Sequence, residues 1–444
     1  MADFLSQITD ALGSAPDETP QVQLTGEGAY RSYFNVTELA LASTAAALGE
    51  YGALADGGQL DLDRRRALLW FNMTTRPQGW EPGSLWDPIA GDYQCVDGWV
   101  RLHTNAPHHQ KAAVAALGCA ADRDAVAKLL LDRSKAEVEA AVVANNGCAA
   151  AMYDLAEWQA HPQGQAVAAE PIVAWDHRAG DRKQRDDLKG LKVLDCTRVL
   201  AGPVATRFLA GFGADVLRID PPHWNEPAVE LEVTLGKRCA GLDLTKKADR
   251  ATFERLLAEA DVFVHGYRKG ALAAMGYGPE ILTALNPGLI DVSLCAYGHT
   301  GPWAGRRGFD SLVQMSSGIA AEGMRRAKAD KPVPLPVQAL DFATGNLVAA
   351  AVLRALRLQA ADGTVSRARL SLARTAQLLI SGGVGDAEGE SVQVQDSDFA
   401  TEQEQTSWGP VLRVRPPYSV DGRAPQWPTP AGKLRRHEAA WATG

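Results

Sequence analysis

Pro334-Leu-Pro-Val-Gln-Ala-Leu-Asp341-Phe-Ala-Thr-Gly-Asn346 runs straight into an apolar pattern over 347–358 whose spacing predicts a helix. The stretch puts one carboxylate, Asp341, at a strand-to-helix junction, beside small residues that let a ligand approach the backbone. Phe342 is placed to exclude water, and Thr344-Gly345 to expose amides. Two readings of Asp341 stay open from pattern alone: a cap for the helix that follows, or a reactive carboxylate; one residue can be both.

Upstream, strand and helix alternate. Short apolar runs at 192–196, 215–219, 261–264 and 289–294 read as buried strands, and 204–212, 247–259 and 279–285 as the helices between them. Downstream, 364–370 and 371–380 add a strand and a helix. That order predicts an α/β fold, a Rossmann-like, mostly parallel sheet with helices on both faces, accompanied by a smaller α+β domain.

The smaller domain is read from Tyr93-Gln-Cys-Val-Asp-Gly-Trp-Val-Arg-Leu-His103, a hairpin turning at Asp97-Gly98, followed by helical patterns at 109–117, 122–131, 135–145 and 149–161. The charged stretch 178–189 reads as a linker. Four segments follow: 1–87, a loose acidic tail to residue 29 and then a helix at 36–54; 88–177, the small domain; 188–380, the large domain; and 381–444. The last opens with a mobile acidic connector, 381–405, and ends in a Pro-rich tail that wraps the surface.

With 45 basic against 53 acidic side chains the chain carries −8, which disfavours nucleic acid or an anionic membrane as a bulk partner. An anionic ligand then needs a locally basic pocket. No run of about 18 uninterrupted apolar residues occurs, so no membrane span is expected. The first 22 residues have no basic stretch before an apolar run, so no signal peptide is expected. Six scattered cysteines form no Cys-x-x-Cys pair, which predicts reduced thiols, a cytoplasmic setting and no metal site.

Three loops can meet a ligand. Ala201-Gly202-Pro203 opens a helix right after a strand, Tyr267-Arg268-Lys269-Gly270 follows another strand, and a Gly-rich segment, Gly298 to Gln314, leads into a helix. Each has a bland alternative: plain helix entry, a solvated basic loop, and a helix cap at Asp310.

Together with Leu191-Lys-Val-Leu-Asp-Cys-Thr-Arg-Val-Leu-Ala-Gly-Pro203 and Gly211-Phe-Gly-Ala-Asp-Val-Leu-Arg-Ile-Asp220, the Asp341 stretch resembles the family III CoA-transferases, a group that includes α-methylacyl-CoA racemase. The resemblance covers about 88–175 and 188–425 and implies that Asp341 is the catalytic carboxylate. It also implies that Val199 and Ala201 meet the adenine end of coenzyme A, and that Arg268 and Arg307 are basic CoA contacts. The expected activity moves CoA from an acyl-CoA to a small carboxylic acid through an aspartyl-CoA thioester, in an interlocked homodimer.

Departures are visible too. His265-Gly-Tyr-Arg-Lys-Gly270 replaces Glu-Asn-Phe-Arg-Pro-Gly, Ala274 stands at a usual Arg, and Pro221 at a frequent basic position. Lys246, Lys247 or the basic run 325–331 are the expected compensation. The racemase branch needs a His where this chain has Phe309; His299 is a candidate substitute, although a lone loop His is more often structural or solvated. The small-domain-like segment precedes the large one, the reverse of the family order, so a single nucleophile is expected. An acyl-CoA racemase or isomerase and a non-catalytic CoA-binding scaffold remain as alternative functions.

Overall fold

A computed structural model describes residues 1–15 and 17–442. Helix α1 (Ala2–Leu12) buries Phe4, Ile8 and Leu12, four residues apart, and exposes Asp3 and Asp10. It packs on α2 (Val36–Leu54), an almost wholly buried Ala/Leu-rich helix. The loose tail expected for residues 1–29 is thereby corrected. An amphipathic stripe holds α1, and Val22–Thr25 then pairs parallel to Leu60–Asp63.

The small module is a three-stranded antiparallel sheet, Gly91–Cys95, Gly98–Leu102 and Ala149–Ala151, covered by helices Pro107–Leu117, Arg123–Leu130 and Lys135–Ala144. The hairpin turns where expected. The helix read over 149–161 is corrected: Ala149–Ala151 completes the sheet edge, where pairing outweighs alanine's helix propensity. Helix Leu155–Ala160 starts only after Asp154, whose carboxylate accepts the Glu157 N–H at 2.7 Å.

The large sheet has seven strands: β1 (Ala174–Ala179), β2 (Lys192–Cys196), β3 (Asp215–Asp220), β4 (Arg238–Gly241), β5 (Val262–His265), β6 (Ile290–Cys295) and β7 (Thr364–Ser371). Their order is β4-β3-β2-β5-β6-β7-β1, parallel except for β1, which lies antiparallel on β7. This is the α/β, mostly parallel Rossmann-like fold expected, within one residue at most of the strands read. The expected linker begins inside β1, because Arg178 and Ala179 register against Val365 and Thr364. At the opposite edge His437 bridges β4, its N–H donating to the Cys239 carbonyl at 2.9 Å.

Five helices matter for the site: α3 (Ala201–Gly211), α4 (Lys247–Glu259), α5 (Asp310–Ser316), α6 (Ala339–Asp362) and α7 (Leu372–Ser381). Helix α6 begins at Ala339, before Asp341, and not at residue 347. By length and composition it could cross a membrane, yet its apolar window is entirely buried, packed on α2 and α3. A Cβ on Gly345 would lie 2.4 Å from the Ala201 carbonyl oxygen, so only glycine permits this close crossing. Thr344 bonds Thr375 Oγ1 at 2.7 Å. The amides expected to be exposed at Thr344-Gly345 are therefore interior to a packed helix.

The tail does wrap. Gly409–Arg413 pairs with Thr75–Pro77, and Tyr418–Val420 with Leu60–Asp63, so both ends of the chain share sheets. The acidic stretch before it is tied down by Arg65, which bonds Asp398 Oδ2 at 2.9 Å.

Candidate active site

The carboxyl ends of β2, β5 and β6 open onto a cleft of about 840 Å³, the position where parallel α/β sheets hold ligands. Val199, Ala201, Arg268, Arg307 and Asp341 all line it, although they come from four separate stretches of sequence. The small module of the same chain closes the far side with His108, His109 and Lys111. One chain thus supplies every wall described.

The turn between β2 and α3 is held from below by a buried ion pair. Asp195 receives Lys237 Nζ at 3.0 Å, the Thr197 N–H at 2.9 Å and Thr206 Oγ1 at 2.5 Å. Burial alone would raise the Asp195 pKa, but Lys237 and Arg218 bring it below the usual carboxylate range. Above it, Val199 adopts φ 63°, a region hostile to a β-branched residue. Its N–H donates to Glu226 Oε2 at 2.9 Å, and Glu226 is anchored by Arg218 Nη2 at 2.5 Å. The strain lets the chain turn so that α3 begins at Ala201 facing the cleft.

Charge in the cleft opposes the charge of the chain. Its lining holds Lys111, Arg198, Arg268, Arg306 and Arg307, and among the described residues Asp341 is its only carboxylate. Arg306 is neutralised by Glu139 at 2.7 Å. Arg307 hydrogen-bonds to Asn146, and its pKa is lowered by burial and then by the neighbouring Arg268. Two guanidiniums repelling each other in a cleft suit a bound polyanion. Arg198 and Lys111 escaped the sequence reading. The expected compensation lies elsewhere: Lys246 pairs with Asp243, and Arg325 and Arg326 with Glu322. Ala274 does line the cleft, so that missing cation is a real vacancy in the basic wall.

Asp341 is 7% exposed, in the first turn of α6. Its N–H donates to Asp310 Oδ2 at 2.9 Å, while Gln314 Nε2 donates to Asp310 Oδ1 at 2.5 Å. Asp310, expected to cap its own helix, caps α6 instead. Burial raises Asp310 to about 6; burial and then the Asp310 charge raise Asp341 well above the usual range. Asp310 accepts several hydrogen bonds, so it ionises first and Asp341 keeps its proton longer. The cap reading and the reactive reading thus separate onto two residues.

Asp341 also borders a second cavity of about 410 Å³, shared at the neck with Val199, Trp224 and Phe309. Phe309 stacks on His103, ring centroids 3.7 Å apart. Burial holds His103 neutral, its pKa down at about 3. His299 lies outside both cavities, with Nε2 3.0 Å from the Leu370 carbonyl and its N–H on Glu170.

Residues 188–410 match the model of CoA-transferase family III, and the chain belongs to that family. It is 32% identical over 215 residues to an acyl-CoA transferase of Fusarium pseudograminearum, covering 44% of this chain and 47% of the relative. It is 34% identical over 182 residues to human succinyl-CoA:glutarate CoA-transferase, covering 38% and 41%. The chain spans about half the length, or less, of these curated relatives. A crystal structure of Mycobacterium tuberculosis Rv3272 aligns with TM-score 0.40 and 33% identity over 44% of this chain and 57% of that one.

Proposed function

We propose that this chain moves CoA from an acyl-CoA thioester to a carboxylic acid, with Asp341 as the covalent carrier. One observation carries the reading: the only carboxylate among the described residues on the wall of a basic cleft sits at its neck with a second, less charged cavity. The cleft suits the CoA phosphates and the smaller cavity suits the acyl group.

The ionised Asp341 carboxylate attacks the thioester carbonyl, expelling CoA thiolate and leaving a mixed anhydride. The thiolate, still bound, attacks the Asp341 carbonyl, giving an aspartyl-CoA thioester and releasing the donor acid. The acceptor carboxylate reverses both steps. Each addition develops an oxyanion. At α6 the first amides are taken by Asp310, whereas those of Ala201 and Gly202 at the start of α3 border the cleft and are the better donors. Phe309 and Phe342 keep water from the anhydride, which hydrolysis would otherwise destroy.

Family membership and the names of the relatives support CoA transfer. The homodimer belongs to the same proposal, and light scattering reads it. The cytoplasmic setting rests on six free cysteines, five of them buried.

Incubation with acyl-CoA followed by hydroxylamine or borohydride should modify Asp341, seen by peptide mass spectrometry. Unmodified protein across a broad acyl-CoA panel, with Asp341→Ala leaving CoA binding intact, would identify a non-catalytic scaffold. Solvent deuterium entering the α-carbon without an acceptor acid would identify a racemase.

A further inference from the structure

The smaller cavity differs from the cleft in its charge. Among the described residues lining it there is no lysine or arginine; its carboxylates are Asp87 and Glu226, besides Asp341. Both are already engaged: Asp87 by Thr104 Oγ1 and Gln110 Nε2, each at 2.7 Å, and Glu226 by Arg218 at 2.5 Å. The guanidiniums of Arg101 and Arg198 stack on Trp86 at 5.1 Å and Trp224 at 4.7 Å, and neither lines this cavity. Arg101 is bound besides to Asp92 at 2.6 Å.

Much of the remaining wall is apolar. Leu85 and Trp86, 47% and 38% exposed, are among the few large hydrophobic side chains left uncovered in the molecule, and both border this cavity. His103 adds a buried Nδ1 with no hydrogen-bond partner. The volume of about 410 Å³ lies within the range of small-molecule sites.

We propose that this cavity is the acyl subsite and selects an apolar acyl body, such as a branched, cyclic or aromatic monocarboxylic acid, over a dicarboxylic one. The inference rests on the CoA-transfer reading of Asp341 and goes beyond it by naming the substrate class. A second carboxylate on the acyl group would enter a wall that offers it no cation and already carries Asp87 and Glu226. An aromatic or branched body meets Trp86, Trp224 and Phe309, and His103 takes one polar atom of the ligand. Discrimination of about a hundredfold is the scale of leaving a buried charge unpaired.

The test uses stable CoA analogues with a methylene in place of the thioester sulfur, one carrying a phenylacetyl group and one a succinyl group, titrated calorimetrically. The phenylacetyl analogue should bind at least about a hundredfold more tightly, and Leu85→Arg, a change at an exposed position, should narrow that ratio. Equal or tighter binding of the succinyl analogue overturns the subsite assignment, whatever the turnover. Selective binding with no labelling of Asp341 by either thioester overturns CoA transfer but leaves an apolar acyl-binding cavity. Loss of selectivity in Trp86→Ala, with CoA affinity unchanged, provides a second variant.

Discussion

The Asp341 amide donates to Oδ2 of Asp310 at 2.9 Å, so the residue that opens α5 also fixes the first turn of α6. The two carboxyl groups are buried together, and the hydrogen bonds given to one decide which ionises first. Burial and the Asp310 charge hold the Asp341 pKa above the usual carboxylate range, while Asp310, which receives the hydrogen bonds, ionises first.

Asp310→Asn keeps an acceptor for the Asp341 amide but removes the negative neighbour. Asp341 must lose its proton to attack, so activity should rise with pH through its raised pKa. In the variant that ascending limb should move to lower pH by about one unit. A kcat/KM profile checks this; a limb that stays in place would mean that the charge of Asp310 does not reach Asp341.

Asp341→Asn should abolish turnover yet stabilise the fold. A carboxyl whose folded pKa is raised contributes stability fully present below its unfolded value, near 3.9, and lost as pH climbs towards the folded value. The amide escapes that loss. The variant's advantage should be absent near pH 4 and grow by about 1.4 kcal/mol per pH unit above it, until the folded pKa is passed. Urea melts at pH 4 and pH 8 measure the difference.

Arg268→Ala and Arg307→Ala should each weaken CoA binding by about tenfold at low salt, less for the exposed Arg268 as salt rises. Calorimetry at two ionic strengths reads both effects. The maximal rate at saturating acyl-CoA should change far less, because neither group touches the reacting carbonyl in the proposed pose.

Gly345→Ala places a methyl against the Ala201 carbonyl and Val204. It should cost about 1–3 kcal/mol by prising α6 from α3. Because both helices border the cleft, CoA affinity should fall with stability, seen as a lowered melting temperature and a weaker Kd together.

Five of the seven strands, β2, β3, β5, β6 and β7, were legible as short runs holding Val, Leu or Ile, whereas the edge strands β1 (Ala174–Ala179) and β4 (Arg238–Gly241) carry none of these and were not read. Asp341 and the four proposed cofactor contacts were legible through motif resemblance, and the chain brings them to one cleft. Asp310 was not, because its partner lies 31 residues downstream and its own helix offered an obvious local role. Arg198 was hidden for a related reason: nothing in its local pattern marks it as a residue that lines the cleft. Ala149–Ala151 and α1 were misread where a sheet edge or one amphipathic stripe outweighed composition.

Strand β4 ends the sheet on one side, and His437 from the C-terminal wrap pairs along it. A chain trimmed before that residue would present a row of bare amides and carbonyls, a template on which another copy could add its own strand. Holding His437 against β4 therefore covers part of that edge, and a change that pulls this segment away from β4 should lower solubility, read by light scattering, even though the candidate cleft lies at a distance along the sequence.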